Sequence, residues 1–174
     1  IVDQRIIPAL DAVGRGFEQK TLYLPQLLMS AEAAKSAFEV IKAALLRTNA
    51  RTPRKARFVL ATVKGDIHDI GKNIVRVLLE NYGYQVLDLG KDVAPEAIVE
   101  AVVREKASFC GLSALMTTTV PAMEETIRQL REKAPDCKIV VGGAVMTAEY
   151  AKRIGADKYA KDAMETVRYV ESVC

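Results

Sequence analysis

The hydrophobic positions of this chain change their period once, and the change divides it. Over the first fifty residues they recur at intervals of three and four. Ile6, Leu10, Val13 and Phe17 predict one helix, with Gly14 and Gly16 loosening its end. Leu27, Ala31, Ala34, Phe38, Ile41 and Leu45 predict a second, with Pro25 in a first turn that tolerates proline. Two helices cannot bury two such stripes by themselves, so these must pack on absent helices, on the following domain or on a ligand. The stretch RTNARTPRKAR has no apolar period, one proline and five basic residues, which reads as a solvated linker in preference to an anion site. The expected division is a helical cap over 1–48, truncated from a larger bundle, a linker over 49–57 and an α/β domain over 58–174.

Beyond the linker the pattern becomes apolar run, loop and amphipathic helix, five times over. RFVLATV, YQVLDLG, SFCGLSAL and KIVVGGA are the strands, and DKYA is a weaker fifth. NIVRVLLENYG, PEAIVEAVVREKA, VPAMEETIRQLREKA, TAEYAKRIGA and AMETVRYVESV are the helices. Apolar strands without alternation mean a parallel sheet covered on both faces. Five such units predict a flavodoxin-like (Rossmann-like) sheet of order 2-1-3-4-5, in which ligands bind beyond the carboxyl ends of the strands where the order reverses. That rule gathers KGDIHDIGKN, SALMTTT, GGAV and YAKDA on one rim.

Composition narrows the function classes. The 174 residues are 50% hydrophobic and 27% charged, with both signs interspersed, as in a folded globular protein. A net charge of +3, no Trp and 6% aromatics supply neither a phosphate-tracking surface nor a stacking platform, so nucleic acid is not an expected partner. No apolar run has membrane-span length, and IVDQRIIPAL carries an acid and a proline where a signal peptide is apolar; the expected location is cytoplasmic. Cys110, Cys137 and Cys174 are scattered, which suggests reduced thiols and neither a disulfide framework nor a zinc knuckle. A start without Met inside a helical pattern suggests a segment of something longer.

The loop Gly65-Asp66-Ile67-His68-Asp69-Ile70-Gly71-Lys72-Asn73 holds the only histidine. As a phosphate loop it fails: five residues separate its glycines where four are needed, Asn73 follows the lysine, and two carboxylates would repel phosphate. As an acidic receiver site it lacks a carboxylate at the end of the third strand, where Ser113-Ala114-Leu115 stands. The third reading is a ligating imidazole, with Asp66 accepting a hydrogen bond from the ring nitrogen turned away from the metal. One protein ligand is too few for zinc, but a metal already held by a macrocycle needs only one.

DIHDIG has the form Asp-x-His-x-x-Gly and resembles the signature of the cobalamin-binding family. SALMT and GGA are similar to that family's other two cofactor loops, and YLPQLLMSAEA resembles the helical cap of methionine synthase and related corrinoid methyltransferases. The resemblance implies cobalamin as cofactor, its cobalt held by the corrin, with His68 as lower ligand in place of the tail base. It further implies Asp66 as the partner of His68 and Thr119, where related methionine synthases place a serine, as the end of a proton relay. Gly65, Ile67, Asp69, Gly71, Leu115, Ala144, Tyr159 and Ala163 would line the tail or the corrin edge, with Ser113 and Thr117 touching the tail. Gly142 and Gly143 also have a direct rationale: a flat ring approaches backbone only where no Cβ intrudes, and a tight turn is the compatible alternative. Thr118 stands where the family often has proline. Tyr23, then Leu27, would cover methylcobalamin from above, with packing between helices as the alternative.

The implied activity is methyl transfer from methyltetrahydrofolate to homocysteine through Co(I) and methyl-Co(III), as a carrier module of a methionine synthase-like enzyme that does not turn over alone. Methyl-donor and methyl-acceptor domains or subunits, and a reductive reactivation partner, would lie elsewhere. A stand-alone corrinoid protein of a methylamine or methanol system is the alternative reading, and a mutase domain, which would lack the cap, a more distant one.

Overall fold

Five parallel strands lie in the order β2-β1-β3-β4-β5, as the repeat predicts. They are β1 (Arg57–Thr62), β2 (Gln85–Asp88), β3 (Phe109–Ser113), β4 (Lys138–Gly142) and β5 (Lys158–Tyr159). This computed structural model describes residues 5–47 and 56–174, so most of the linker expected at 49–57 lies outside the described residues. Register sets Leu60 beside Gly111 and Gly111 beside Val140, with Thr62, Ser113 and Gly142 forming a second row at the carboxyl rim.

The pleat divides each strand between two cores. Val59, Ala61 and Val63 face α4 (Pro95–Glu105) and α5 (Val120–Lys133), where they meet Ile98, Val102, Met123, Ile127 and Leu130. Phe58 and Leu60 face the opposite way, toward α3 (Ile70–Asn81) and α7 (Ala163–Val173), and share a core with Leu78, Leu79, Met164 and Val167. The short α6 (Ala148–Arg153) begins at Thr147, whose hydroxyl accepts the Tyr150 N–H at 3.1 Å. Asp162 caps α7 in the same way, accepting the Glu165 N–H at 2.8 Å. α3 starts three residues before its apolar period does, because its first turn carries exposed Ile70 and Gly71.

The two N-terminal helices, α1 (Ile7–Glu18) and α2 (Leu24–Arg47), pack on the following domain, one of the three options their stripes allowed. Leu10, Leu27, Ala31 and Ala34 join the core of Leu78, Leu79, Tyr82 and Met164, and Asn81 Nδ2 donates to the Ala31 carbonyl at 2.9 Å. Burying Leu10 and Leu27 contributes about 1.5–3 kcal/mol each. Gly14 and Gly16 lie in the last turns of α1. A Cβ on Gly14 would lie 2.8 Å from Met164 Cε and one on Gly16 2.8 Å from Leu22 Cδ1, so both mark close packing. The side chains of Phe38, Ile41 and Leu45 lie outside the described residues. No described helix is long and apolar enough to cross a membrane. Cys110 and Cys137 are free and buried, and burial pushes the Cys137 thiol up to about 12, so neither is a reactive thiolate.

Candidate cofactor site

After β1 the chain turns sharply. Gly65 adopts φ +84°, and the Asp66 N–H donates to the Val63 carbonyl at 3.1 Å. The turn drops Asp66 below the rim, where it is fully buried. One carboxylate oxygen accepts the His68 backbone N–H at 2.9 Å and His68 Nδ1 at 2.8 Å. The other accepts the Leu115 N–H at 2.6 Å, the Met116 N–H at 3.3 Å and the Thr119 hydroxyl at 3.0 Å. The Thr119 hydroxyl also lies 2.8 Å from the Met116 carbonyl, so its single proton serves two acceptors.

Burial by itself raises the pKa of Asp66, but the donors from His68, Leu115 and Thr119 outweigh it and hold the carboxyl far below the usual range. An ionised carboxylate only accepts hydrogen bonds, so Nδ1 of His68 must carry the proton. In the neutral ring Nε2 then carries the lone pair and is the nitrogen able to ligate. The imidazole is 46% exposed and stands on the wall of a cavity of about 600 Å³.

That cavity opens at the rim and descends between the sheet and the α3–α7 layer. Its depth is lined by Leu60, Gly111 and Val140 from the sheet, Val75 from α3 and Thr166 from α7. A Cβ on Gly111 would come within 2.5 Å of Leu60 Cδ2. Gly143, at φ +126°, packs so closely on the SALMT loop that a Cβ would lie 1.8 Å from the Ala114 carbonyl oxygen. The tight-turn account therefore suffices to require glycine at 143, and the same turn leaves Gly142 and Gly143 on the cavity wall.

Ile67, Asp69, Gly71, Ser113, Leu115, Ala144, Tyr159 and Ala163 line the cavity together with His68 and the two glycines. Gly65, Asp66 and Thr119 stand behind it and hold the imidazole and its loop. Thr117 is exposed, in a 3-10 turn over Thr117–Thr119 that also contains Thr118, and is not on the wall. Leu27 is buried in the helical core, Tyr23 is 70% exposed, and neither lines the cavity. Lys72 was missed by sequence reasoning. It lines the cavity yet is buried, its ammonium paired with the Asp88 carboxylate, which also accepts the Gly90 N–H at 2.9 Å and an Arg76 contact at 3.3 Å. A lysine beside an apolar period was the available signal, but its partner lies at the end of β2.

Among the described residues no three His, Cys, Asp or Glu side chains gather where they could hold a bare metal ion. The donor set fits a metal that brings its other ligands, and the glycine-lined cavity beside it has room for a large appended group. Comparison with known proteins agrees. A B12 binding domain model matches residues 56–168, and a second B12 binding domain model matches residues 1–42. Dimethylamine corrinoid protein 1 of Methanosarcina acetivorans is 38% identical over 169 residues, 96% of this chain and 79% of its own length. Trimethylamine corrinoid protein 2 of the same organism is 37% identical over 174 residues, 99% of this chain and 80% of its own.

Among solved structures, a cobalamin-binding protein from Desulfitobacterium hafniense superposes with a TM-score of 0.84 at 32% identity, over 95% of this chain and 78% of that one. The methanol:cobalamin methyltransferase complex MtaBC from Methanosarcina barkeri gives 0.82 at 31% identity, over 99% of this chain and 66% of that one. With family models matching both the cap and the sheet domain, and a half-exposed imidazole on a glycine-lined cavity, the chain belongs to the B12 binding domain family of corrinoid proteins, and its cofactor is cobalamin.

Proposed function

We propose that this chain is the methyl-carrying corrinoid protein of a methyltransferase system that uses methylamines or methanol. The observation that carries this reading is 38% identity with a dimethylamine corrinoid protein across 96% of the chain. It favours the separate corrinoid protein over the methionine synthase module that the cap and loops also resemble. The cap, matched over residues 1–42, weighs against a mutase domain.

When bound, the corrin's cobalt supplies the centre that accepts and gives up a methyl group. The chain's own residues hold and tune. His68 Nε2 would hold the cobalt, and Asp66, hydrogen-bonded to Nδ1, fixes the tautomer that this needs and would stabilise positive charge on the ring. Thr119 supports that charge through its hydrogen bond to Asp66. Gly142 and Gly143 let a flat ring approach the backbone. Tyr23, exposed just before α2, would cover the bound cofactor if the cap moved over the rim. Methyl donor and acceptor act on partner methyltransferase subunits, and a reductive partner restores cofactor that has lost its active state.

The test loads purified protein with reduced cobalamin and adds methyltransferases specific for dimethylamine, trimethylamine, methanol or methyltetrahydrofolate in turn. Methylation of the bound corrin, followed by absorbance, is expected with one of the first three. Methylation with the folate enzyme alone would return the chain to the methionine synthase reading.

A further inference from the structure

Within the turn that carries Asp66 and His68, one hydrogen bond from the Asp66 N–H to Val63 brackets a glycine at positive φ, the most permissive kind of backbone. Yet Asp66 must meet five donors from two separate loops at hydrogen-bond distance. Something outside the turn has to fix it. Asp92, in the loop between β2 and α4, grips it from two sides. The Asp92 N–H donates to the Asp66 carbonyl at 2.9 Å, and the Asp92 carboxylate accepts the Gly65 N–H at 2.8 Å. Lys64 adds an ion pair at 3.0 Å, and the next residue, Val93, is stitched to β1 by its N–H to the Thr62 carbonyl at 3.1 Å.

To make both contacts Asp92 takes φ +55°, a left-handed conformation that side chains other than Asn and Asp seldom adopt. Its own side chain is exposed, so no packing of that side chain forces the conformation on it. A strained backbone kept at the surface, with both polar groups of the residue aimed at one turn, is evidence of a positional task. The ion pair with Lys64 is solvent-exposed and adds little by itself.

We propose that Asp92 is a positioning residue for the cofactor ligand: its clamp on Gly65 and Asp66 places the carboxylate that orients His68. The cobalamin half of the test below rests on the family reading; the other half does not.

Three variants separate conformation from contact. Asp92→Gly keeps the positive φ and removes the carboxylate. Asp92→Asn keeps the conformation and one acceptor oxygen, and Asp92→Ala loses both. The first measurement is amide hydrogen exchange of the cofactor-free protein at His68 and Leu115, whose N–H groups bond to Asp66 and not to Asp92. Asp92→Gly should speed both by about fivefold or more, the usual worth of one hydrogen bond, whereas Asp92→Asn should stay within about twofold of wild type. The second measurement is the absorption spectrum of added cobalamin, in which Asp92→Gly should lower the histidine-ligated fraction and Asp92→Asn restore it. Wild-type exchange at His68 and Leu115 in Asp92→Gly overturns the proposal, and so does an Asn variant that behaves like Gly. Should Asp92→Ala not fold, the Gly and Asn pair decides the matter. If wild-type protein binds no cobalamin, the family reading fails while the exchange result still judges the clamp.

Discussion

Asp66→Asn tests the centre of the site, because the substitution keeps shape and changes only charge and hydrogen-bond sense. An amide offers one acceptor oxygen where the carboxylate offered two. If that oxygen stays with the two His68 donors, the new NH₂ points at the Leu115 and Met116 N–H groups, which were 2.6 and 3.3 Å from the carboxylate. The Thr119 hydroxyl can rotate to accept from the amide, but two backbone donors cannot reverse. Each unpaired donor costs about 1–3 kcal/mol, and since Leu115 is exposed and Met116 half-buried the sum comes to about 2–4 kcal/mol.

The assay is urea unfolding of cofactor-free protein. With a slope of about 2 kcal/mol per molar, the midpoint should fall by about 1–2 M at unchanged slope. The effect also has a pH signature. The folded carboxyl titrates far below its unfolded value near 4, so the unfolded chain takes up the proton first as pH falls. Stability from the ionised group is therefore complete above pH of about 5, and it drains by roughly 1.4 kcal/mol per unit below about 4. The gap between wild type and Asp66→Asn should narrow there. A midpoint unchanged at pH 7, or a gap indifferent to pH between about 6 and 3, would refute the account of Asp66 as a five-donor anchor.

Four further outcomes follow from the same geometry. His68→Ala should still bind cobalamin through the cavity but lose the histidine-ligated absorption; retention of that absorption would remove His68 as ligand. Leu27→Ala, in the helical core, should cost about 2–4 kcal/mol in thermal or urea unfolding, whereas Tyr23→Ala at an exposed site should change stability by less than about 0.5 kcal/mol. If Tyr23 covers the methyl group, its Ala variant should also speed photolysis of bound methylcobalamin with the histidine-ligated spectrum intact, and an unchanged rate would assign the residue to the surface alone. Gly143→Ala has no room for its Cβ against the Ala114 carbonyl and should both destabilise the fold and weaken cobalamin binding by at least tenfold, on the order of 1.4 kcal/mol or more; near-wild-type affinity would show that the turn can open.

Element type and strand order were legible in the sequence because they follow from local period. An apolar run of RFVLATV kind has no polar face to leave in water, and five repeats of strand and helix allow few ways to cover a parallel sheet. The Asp66–His68 pair was legible too, since both partners sit two residues apart in one loop. The start of α3 at Ile70 was not, because an exposed isoleucine and a glycine carry no period. The close packing at Gly14 and Gly16 was not legible for a related reason: a missing side chain looks the same whether it loosens a helix end or admits a neighbour.

Only the tertiary structure decided what surrounds the pair. Leu115, Met116 and Thr119 reach Asp66 from 49 to 53 residues away, Asp88 meets Lys72 across a strand, and Asp92 meets Gly65 across a crossover. The cavity floor of Leu60, Gly111 and Val140 is ordinary strand in the sequence and becomes a floor only when register lines the three up. Periodicity reports which side of an element faces water, a property of neighbours along the chain. Which polar groups converge on one carboxylate depends on how three loops end at a common rim, and that was settled only by the packing of the sheet.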